Sequence, residues 1–299
     1  MLYLYDVPVP PFAYNKLLAN IGSMSNSGLE IGLGVTAIQH RDLELNINVN
    51  LSLQRNRLLS LSGSYNGTQL SAQDITPIGG LNGAGFHGGN NNIVYQIVGQ
   101  PLGVFYLPHC NGLVKNAQGR YMYDVANLDN DPEISLEDGA DRYIAGQATP
   151  KATLGSNISL RYKDFDIAIQ MNGAFGHKIY NGTSLTYMNM TSFPTYNVMA
   201  DAPKQNIGDQ IATDYWLERG DYVNIDYITV GWNVPIRRLG RYISGLRLSL
   251  SANNVATLTG YSGQTPIINS YVVNSTLGID DKRSFPPTRT FSMGVSIQF

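Results

Sequence analysis

Between Leu43 and Gln54 the sequence alternates without a slip. Leu43, Leu45, Ile47, Val49, Leu51 and Leu53 fall on one side; Glu44, Asn46, Asn48, Asn50, Ser52 and Gln54 fall on the other. Side chains of an extended chain point to opposite faces in turn, so this segment is a strand with one oily face and one polar face. A helix would space its apolar residues three and four apart, and a strand buried on both faces would read as an unbroken apolar run. Neither matches. The segment is one wall of a sheet set between two different solvents.

The chain ends in the same way. In RTFSMGVSIQF (Arg289–Phe299), Phe291, Met293, Val295, Ile297 and Phe299 alternate with Thr290, Ser292, Gly294, Ser296 and Gln298. A soluble sandwich shares this pattern. A last strand of about ten residues ending on an aromatic fits a transmembrane β-barrel, whose strands need roughly nine to eleven residues to cross. Phe291, Val295, Ile297 and Phe299 are then the terminal signal for barrel assembly.

Further strands are expected at Leu2–Val9 (a strand tail stopped by Pro8, Pro10 and Pro11), Ser27–Ile38, Leu154–Tyr162, Phe165–Met171, Tyr222–Val234 and Leu246–Leu250. In Tyr222–Val234 the apolar face switches near Tyr227–Ile228, which predicts a bulge. Short connections fall at Gln39–Asp42, Lys163–Asp164 and Pro235–Tyr242. Long ones fall between them, at 62–150, Gly176–Ala212 and Thr259–Thr288. All the short turns lie on one side, together with the C-terminus. Outer-membrane barrels place short turns in the periplasm and long loops outside, whereas a sandwich would have loops of similar length at both ends. Residues 62–150, where Gly, Asn, Asp and Pro dissolve the alternation, are therefore read as a long extracellular loop region. Its short apolar pieces are Ile93–Val98 and Leu102–Leu107.

Composition agrees with strands and polar loops. Only 14% of the 299 residues are charged, and there are 31 Gly, 19 Tyr and 9 Phe. A formal net charge of −2 argues against a nucleic-acid binder. No apolar run is long enough for a membrane helix, so any spanning is by barrel. The single cysteine, Cys110, excludes an internal disulfide and a multi-thiolate zinc site. MLYLYDVPVPP has none of the basic, apolar and small-residue regions of a secretory signal. The expectation is a soluble protein or a piece of a longer exported one.

Few residues point to chemistry. Asn127, Asp129, Asp131, Glu133, Ser135 and Asp138 have the spacing of an EF-hand-type calcium loop, but Pro132 stands where the sharp turn needs glycine. A solvated acidic loop is the competing reading. Gly83-Ala-Gly85-Phe-His-Gly88 satisfies G-x-G-x-x-G without the flanking strand and helix of a nucleotide site, so it reads as loop. His40, His87, His109 and His177 are scattered, and no catalytic constellation stands out, so the expectation is a non-enzyme. Tyr162, Trp232 and Tyr242, near the short turns, suit an interfacial aromatic girdle. Tyr187, Tyr196 and Tyr261, in long loops, are the candidates for contact with a ligand or partner.

Six segments carry a family resemblance, in order along the chain. They are DVPVPP (Asp6–Pro11), NIGSMSNSGLEI (Asn20–Ile31), VGQPLGVFY (Val98–Tyr106), TDYWLERGDYVNIDYITVGW (Thr213–Trp232), LSLSANNVATLTGYSG (Leu248–Gly263) and PPTRTFSMGVSIQF (Pro286–Phe299). Together they resemble the SusC/RagA-type TonB-dependent transporters of Bacteroidota outer membranes. The resemblance implies an all-β, antiparallel transmembrane barrel, plugged and of about twenty-two strands. Of these the chain would supply roughly the last eight. It implies nutrient uptake, of oligosaccharides or peptides, with a SusD-like surface lipoprotein, and a periplasmic C-terminus. Plug, TonB box and signal peptide have no counterpart here, so TonB would act through the missing N-terminal portion. The alternative is a self-contained eight-stranded barrel with an adhesive or structural role.

Overall fold

The computed structural model describes residues 2–10, 12–81, 92–129, 131–136, 139–191, 193–235, 242–268, 277–282 and 286–299. Its largest element is an antiparallel seven-stranded sheet. In spatial order the strands are Thr290–Gln298, Gly245–Thr259, Tyr222–Asn233, Phe165–Phe175, Ala152–Tyr162, Leu43–Ser60 and Ser23–Gln39. Strands that follow one another in this sheet also follow one another along the chain, Leu43–Ser60 and Ala152–Tyr162 pairing directly although residues 61–151 lie between them in sequence. Several strands outrun the expected bounds, because backbone pairing continues where side-chain alternation fades.

Register carries the two-faced pattern across the whole sheet. One row of directly opposed residues runs Leu43, Tyr162, Phe165, Trp232, Leu248, Val295. Another runs Val35, Ile47, Ile158, Ile169, Ile228, Ala252, Phe291. Opposed residues share a face, so these rows form one continuous apolar surface. Nothing among the described residues covers the terminal strand's part of it: Phe291, Met293, Val295 and Phe299 are 72, 82, 57 and 91% exposed. The Phe165 and Trp232 rings stack 5.6 Å apart at the short-turn edge, beside the exposed Tyr162.

The opposite face is polar in matching rows: Gly34, Asn48, Asn157, Gln170, Tyr227, Asn253, Thr290. Gly32 and Gly34 leave room for the opposing asparagines. A Cβ on Gly34 would come within 2.9 Å of Asn48 Oδ1. The expected bulge falls at Asp226, the residue without a counterpart where Gln170 and Met171 pair with Tyr227 and Ile225. The Asp226 carboxylate accepts from the Asn224 side chain at 2.7 Å, which fixes the extra residue on the polar face. Short turns follow Gln39, Tyr162 and Asn233, all at the end of the sheet where Gln298 also lies. The turn at 236–241 itself lies outside the described residues.

Two expectations are corrected. Leu2–Asp6 does not join this sheet as an eighth strand. It pairs with Lys16–Asn20 in a hairpin that shelters Tyr5, Val7, Ala19 and Leu70. Nor is 62–150 irregular. Ile75–Gly80, Asn92–Ile97, Val104–Pro108 and Arg142–Gln147 form a four-stranded sheet, and Cys110–Lys115 pairs with Tyr121–Val125. These strands are three to six residues long in this region, and several have side chains buried on both faces. A period-two pattern therefore has no chance to show.

With residues 178–217 and 277–281 they build a cap at the long-loop end of the main sheet. Its core contains Ile93, Val94, Phe105, Leu107, Tyr180, Leu185, Ile207 and Trp216. The two faces of the main sheet give a direct test. Val49→Arg should cost about 2–4 kcal/mol in a bilayer, and Asn48→Arg much less. Equilibrium unfolding of the whole protein from lipid vesicles measures the difference, and equal costs would refute the assignment of faces.

Candidate functional site

The surfaces that can meet a ligand are the polar face of the sheet and the cap above its long-loop edge. On the polar face the side chains bond to one another. Arg247 grips Asp166 through two bonds, Nη1 to Oδ1 at 2.6 Å and Nη2 to Oδ2 at 2.7 Å. Arg161 donates to Glu44 at 3.0 Å, Asn157 to Gln170 at 3.1 Å, and Thr257 to Asn224 at 2.7 Å. A face so rich in amide and hydroxyl groups is stable against water and unstable against lipid.

Hydrogen-bonded carboxylates, buried or partly buried, organise the cap. Asp214 is the principal one. Its Oδ1 accepts from the Cys110 amide at 2.7 Å, and its Oδ2 accepts from the Tyr143 hydroxyl at 2.5 Å and lies 2.6 Å from His109 Nδ1. Three separate segments are thereby tied together. Burial, and then the Asp214 carboxylate, push the Tyr143 phenol well above its ordinary range. Burial also raises the Cys110 thiol, so this cysteine is not an activated nucleophile. Trp216 Nε1 donates to Tyr123 Oη at 2.7 Å inside the core. Asn181 caps the short helix Gly182–Tyr187 by accepting from the Ser184 amide.

The acidic loop is held by a residue that the sequence pattern did not single out. Asp141 is fully buried, and its two oxygens accept from the amides of Leu128 and Ser135, both at 2.6 Å. Asp129 and Asp131 accept from the amides two residues ahead, Asp131 and Glu133, and the Asn127 side chain donates to the Asp131 carbonyl. Asp138 lies outside the described residues, as do Gly83, Gly85, His87 and Gly88. Among the described residues no group of three or more His, Cys, Asp or Glu could hold a metal ion.

Of the three loop tyrosines, Tyr261 is corrected: it is buried, and its hydroxyl donates to Asp280 Oδ2 at 2.8 Å. Its ring is therefore not presented to a ligand. Tyr187 is half-buried with the Lys282 ammonium 5.9 Å from its ring centre, and Tyr196 is half-buried. The four candidate assembly residues Phe291, Val295, Ile297 and Phe299 lie exposed along the terminal strand.

A cleft of about 400 Å³ opens at the base of the cap, lined by Gln100, Gln147, Lys151, His177, Lys178 and Arg219, among others. His177 is 8% exposed, and its Nδ1 has no partner. Burial lowers its pKa, against an opposing pull from Asp221.

Two outcomes follow. A histidine whose folded pKa is depressed stabilises the fold above its unfolded pKa and loses that contribution as pH falls. Amides near Gly220 should therefore exchange faster as pH drops below about 6.5, after correction for intrinsic exchange, and His177→Phe should remove the effect. Tyr123→Phe strands the buried Trp216 N–H and should cost the cap about 1–3 kcal/mol, read as faster proteolysis of the cap segments.

No protein-family model matches the chain. TonB-dependent receptor P3 of Formosa agariphila is 28% identical over 319 residues, covering 99% of this chain and 31% of the relative. TonB-dependent receptor SusC of Bacteroides thetaiotaomicron is 21% identical over 310 residues, covering 100% of this chain and 29% of the relative. The RagAB peptide importer in its open-open state superposes with a TM-score of 0.69 at 18% identity, over 99% of this chain and 31% of that one. A second structure, of the RagAB peptide transporter, gives 0.66 at 17% identity over 98% and 31%. The chain thus spans between 29% and 32% of the length of the curated relatives it matches. At these identities the structural likeness speaks for the fold, a portion of a TonB-dependent barrel. From end to end this chain resembles the SusC/RagA-type TonB-dependent receptors.

Proposed function

We propose that the chain is the C-terminal barrel portion of an outer-membrane, TonB-dependent importer of oligosaccharides or peptides. The observation that carries this reading is the main sheet. Its apolar face runs uncovered over seven strands, its short turns gather at one end, and a folded cap stands at the other. In this reading the apolar face meets outer-membrane lipid, the asparagine-rich face lines the lumen, and the C-terminus is periplasmic. The cap faces outward, where it receives substrate with a SusD-like lipoprotein. The relatives' names, SusC and RagAB, favour that partnership and substrate class. Energised gating by TonB belongs to the rest of the protein, and the chain itself has no enzymatic role.

The sheet has two edges, the outer sides of Ser23–Gln39 and Thr290–Gln298, and each unpaired backbone group costs several kcal/mol in hydrocarbon. Because Leu2–Asp6 is engaged with Lys16–Asn20, it is not available to close them against each other. The isolated chain, refolded into detergent, should therefore fail to give a monomeric, heat-modifiable, protease-resistant band. Co-expression with the remaining barrel should restore one. A compact heat-modifiable monomer formed without a partner would overturn the reading and favour the small closed barrel.

A further inference from the structure

The outward face of the Leu43–Ser60 strand changes chemistry within a single step. After Leu53 the same face carries Arg55 and then Arg57. The register with the adjacent strand runs unbroken through the change: Leu29 opposite Leu53, Ser27 opposite Arg55, Ser25 opposite Arg57. Both strands therefore leave the apolar band at the same height. The band from Leu43 to Leu53 covers roughly 34 Å along the strand, or about 26 Å once tilted by some 40°, which is the height of a barrel's apolar belt. With the stacked Phe165 and Trp232 at its lower margin, its upper margin places Arg55 and Arg57 at the level of lipid headgroups.

The two arginines stand in a prepared setting. Arg57 Nε donates to the Gly99 carbonyl at 2.9 Å, which orients the guanidinium against the cap. Arg55, Arg57, Gly99, Gln100, Gln147 and Lys151 line a cleft of about 530 Å³, together with Pro101 and with Gln54 and Asn56 of the polar row. The smaller cleft that holds Lys178 and Arg219 shares Gln100, Pro101, Gln147 and Lys151 with it. Among the described residues, none of these five cations forms an ion pair. Asp221 is the one carboxylate in the two linings, and it accepts from the Gly176 amide at 2.6 Å. A cleft lined by one sign of charge concentrates counterions, and forked guanidinium groups match the oxygens of a phosphate.

We propose that Arg55 and Arg57, with Lys151 in the same cleft, bind the phosphate-bearing headgroup of an outer-leaflet lipid at the rim of the barrel. The proposal rests on the membrane-barrel reading given above. The face on which the arginines stand favours lipid over transported substrate. They continue the leucine row, while Gln54 and Asn56, which complete the cleft, alternate with them on the row that faces the lumen.

The test uses the complete protein containing this chain, first offered to lipid vesicles to read insertion and then, in detergent, measured by native mass spectrometry. The probes are a diphosphorylated lipid A, its dephosphorylated form, inorganic phosphate and a sulfated oligosaccharide. Expected is retention of the phosphorylated lipid over its dephosphorylated form, and an affinity about tenfold lower in Arg55→Ala/Arg57→Ala. The Arg55→Lys/Arg57→Lys variant should keep most of the binding, and each variant should keep its heat-modifiable band. Unchanged lipid affinity in the alanine variant would overturn the proposal. So would arginine-dependent binding of the sulfated oligosaccharide without the lipid, or binding of inorganic phosphate as tight as that of the lipid. A protein that enters vesicles yet does not discriminate between the two lipids refutes this proposal alone. One that does not enter vesicles refutes the barrel reading and the proposal with it.

Discussion

Everything in this chain depends on lateral backbone pairing between strands whose two faces meet different solvents. In hydrocarbon an unpaired N–H or C=O has no water to turn to, so the ladder must be continuous from strand to strand. Continuity fixes register, and register decides which side chains share a face. A slip of one residue between Leu43–Ser60 and Ala152–Tyr162 would turn Ile158 toward Asn48 and expose Asn157 among isoleucines. The matching of Ile47 with Ile158 and Ile169, and of Asn48 with Asn157 and Gln170, shows that side-chain chemistry and backbone pairing specify the same alignment. Where they disagree at Asp226, an extra residue is inserted and its carboxylate is bonded on the polar face.

The cap follows a different logic. Its strands are too short to be stable alone and have no alternation to direct them. What joins them is a set of carboxylates, Asp141 and Asp280 buried and Asp214 partly so, each satisfied by donors from separate parts of the chain. Asp214 binds the segments at His109–Cys110 and Tyr143, Asp141 closes the loop around Leu128 and Ser135, and Asp280 receives Tyr261 and Thr183. A buried charge is costly unless it is fully bonded, so each such residue penalises arrangements that leave its oxygens empty. That penalty favours one packing of the cap over others of equal apolar burial.

At the boundary between these two regimes lie cations that form no ion pair among the described residues. The sheet needs a polar rim to end its apolar band, and the cap needs a base, and the clefts with Arg55, Arg57, Lys151, Lys178 and Arg219 lie where both requirements meet. His177 sits at the same junction, buried, its Nδ1 without a hydrogen-bond partner among the described residues.

By itself the sequence determined the two-faced strands, their order, the end on which the short turns gather, the bulge near Tyr227, and the family that the chain resembles. These are local properties: alternation and turn length are written in consecutive residues, and a two-solvent sheet leaves them undisguised. The tertiary structure alone decided the rest. That Leu2–Asp6 pairs with Lys16–Asn20, that short strands within 62–150 share one core with Tyr180, Leu185, Ile207, Trp216 and Ile279, and that Tyr261 is buried against Asp280 all depend on contacts between distant residues. So does the weight carried by Asp141 and Asp214, because an aspartate in a polar loop reads the same in sequence whether it faces water or accepts the amides of another segment. Burial of a charge is decided by what packs over it, and no neighbouring residue records that.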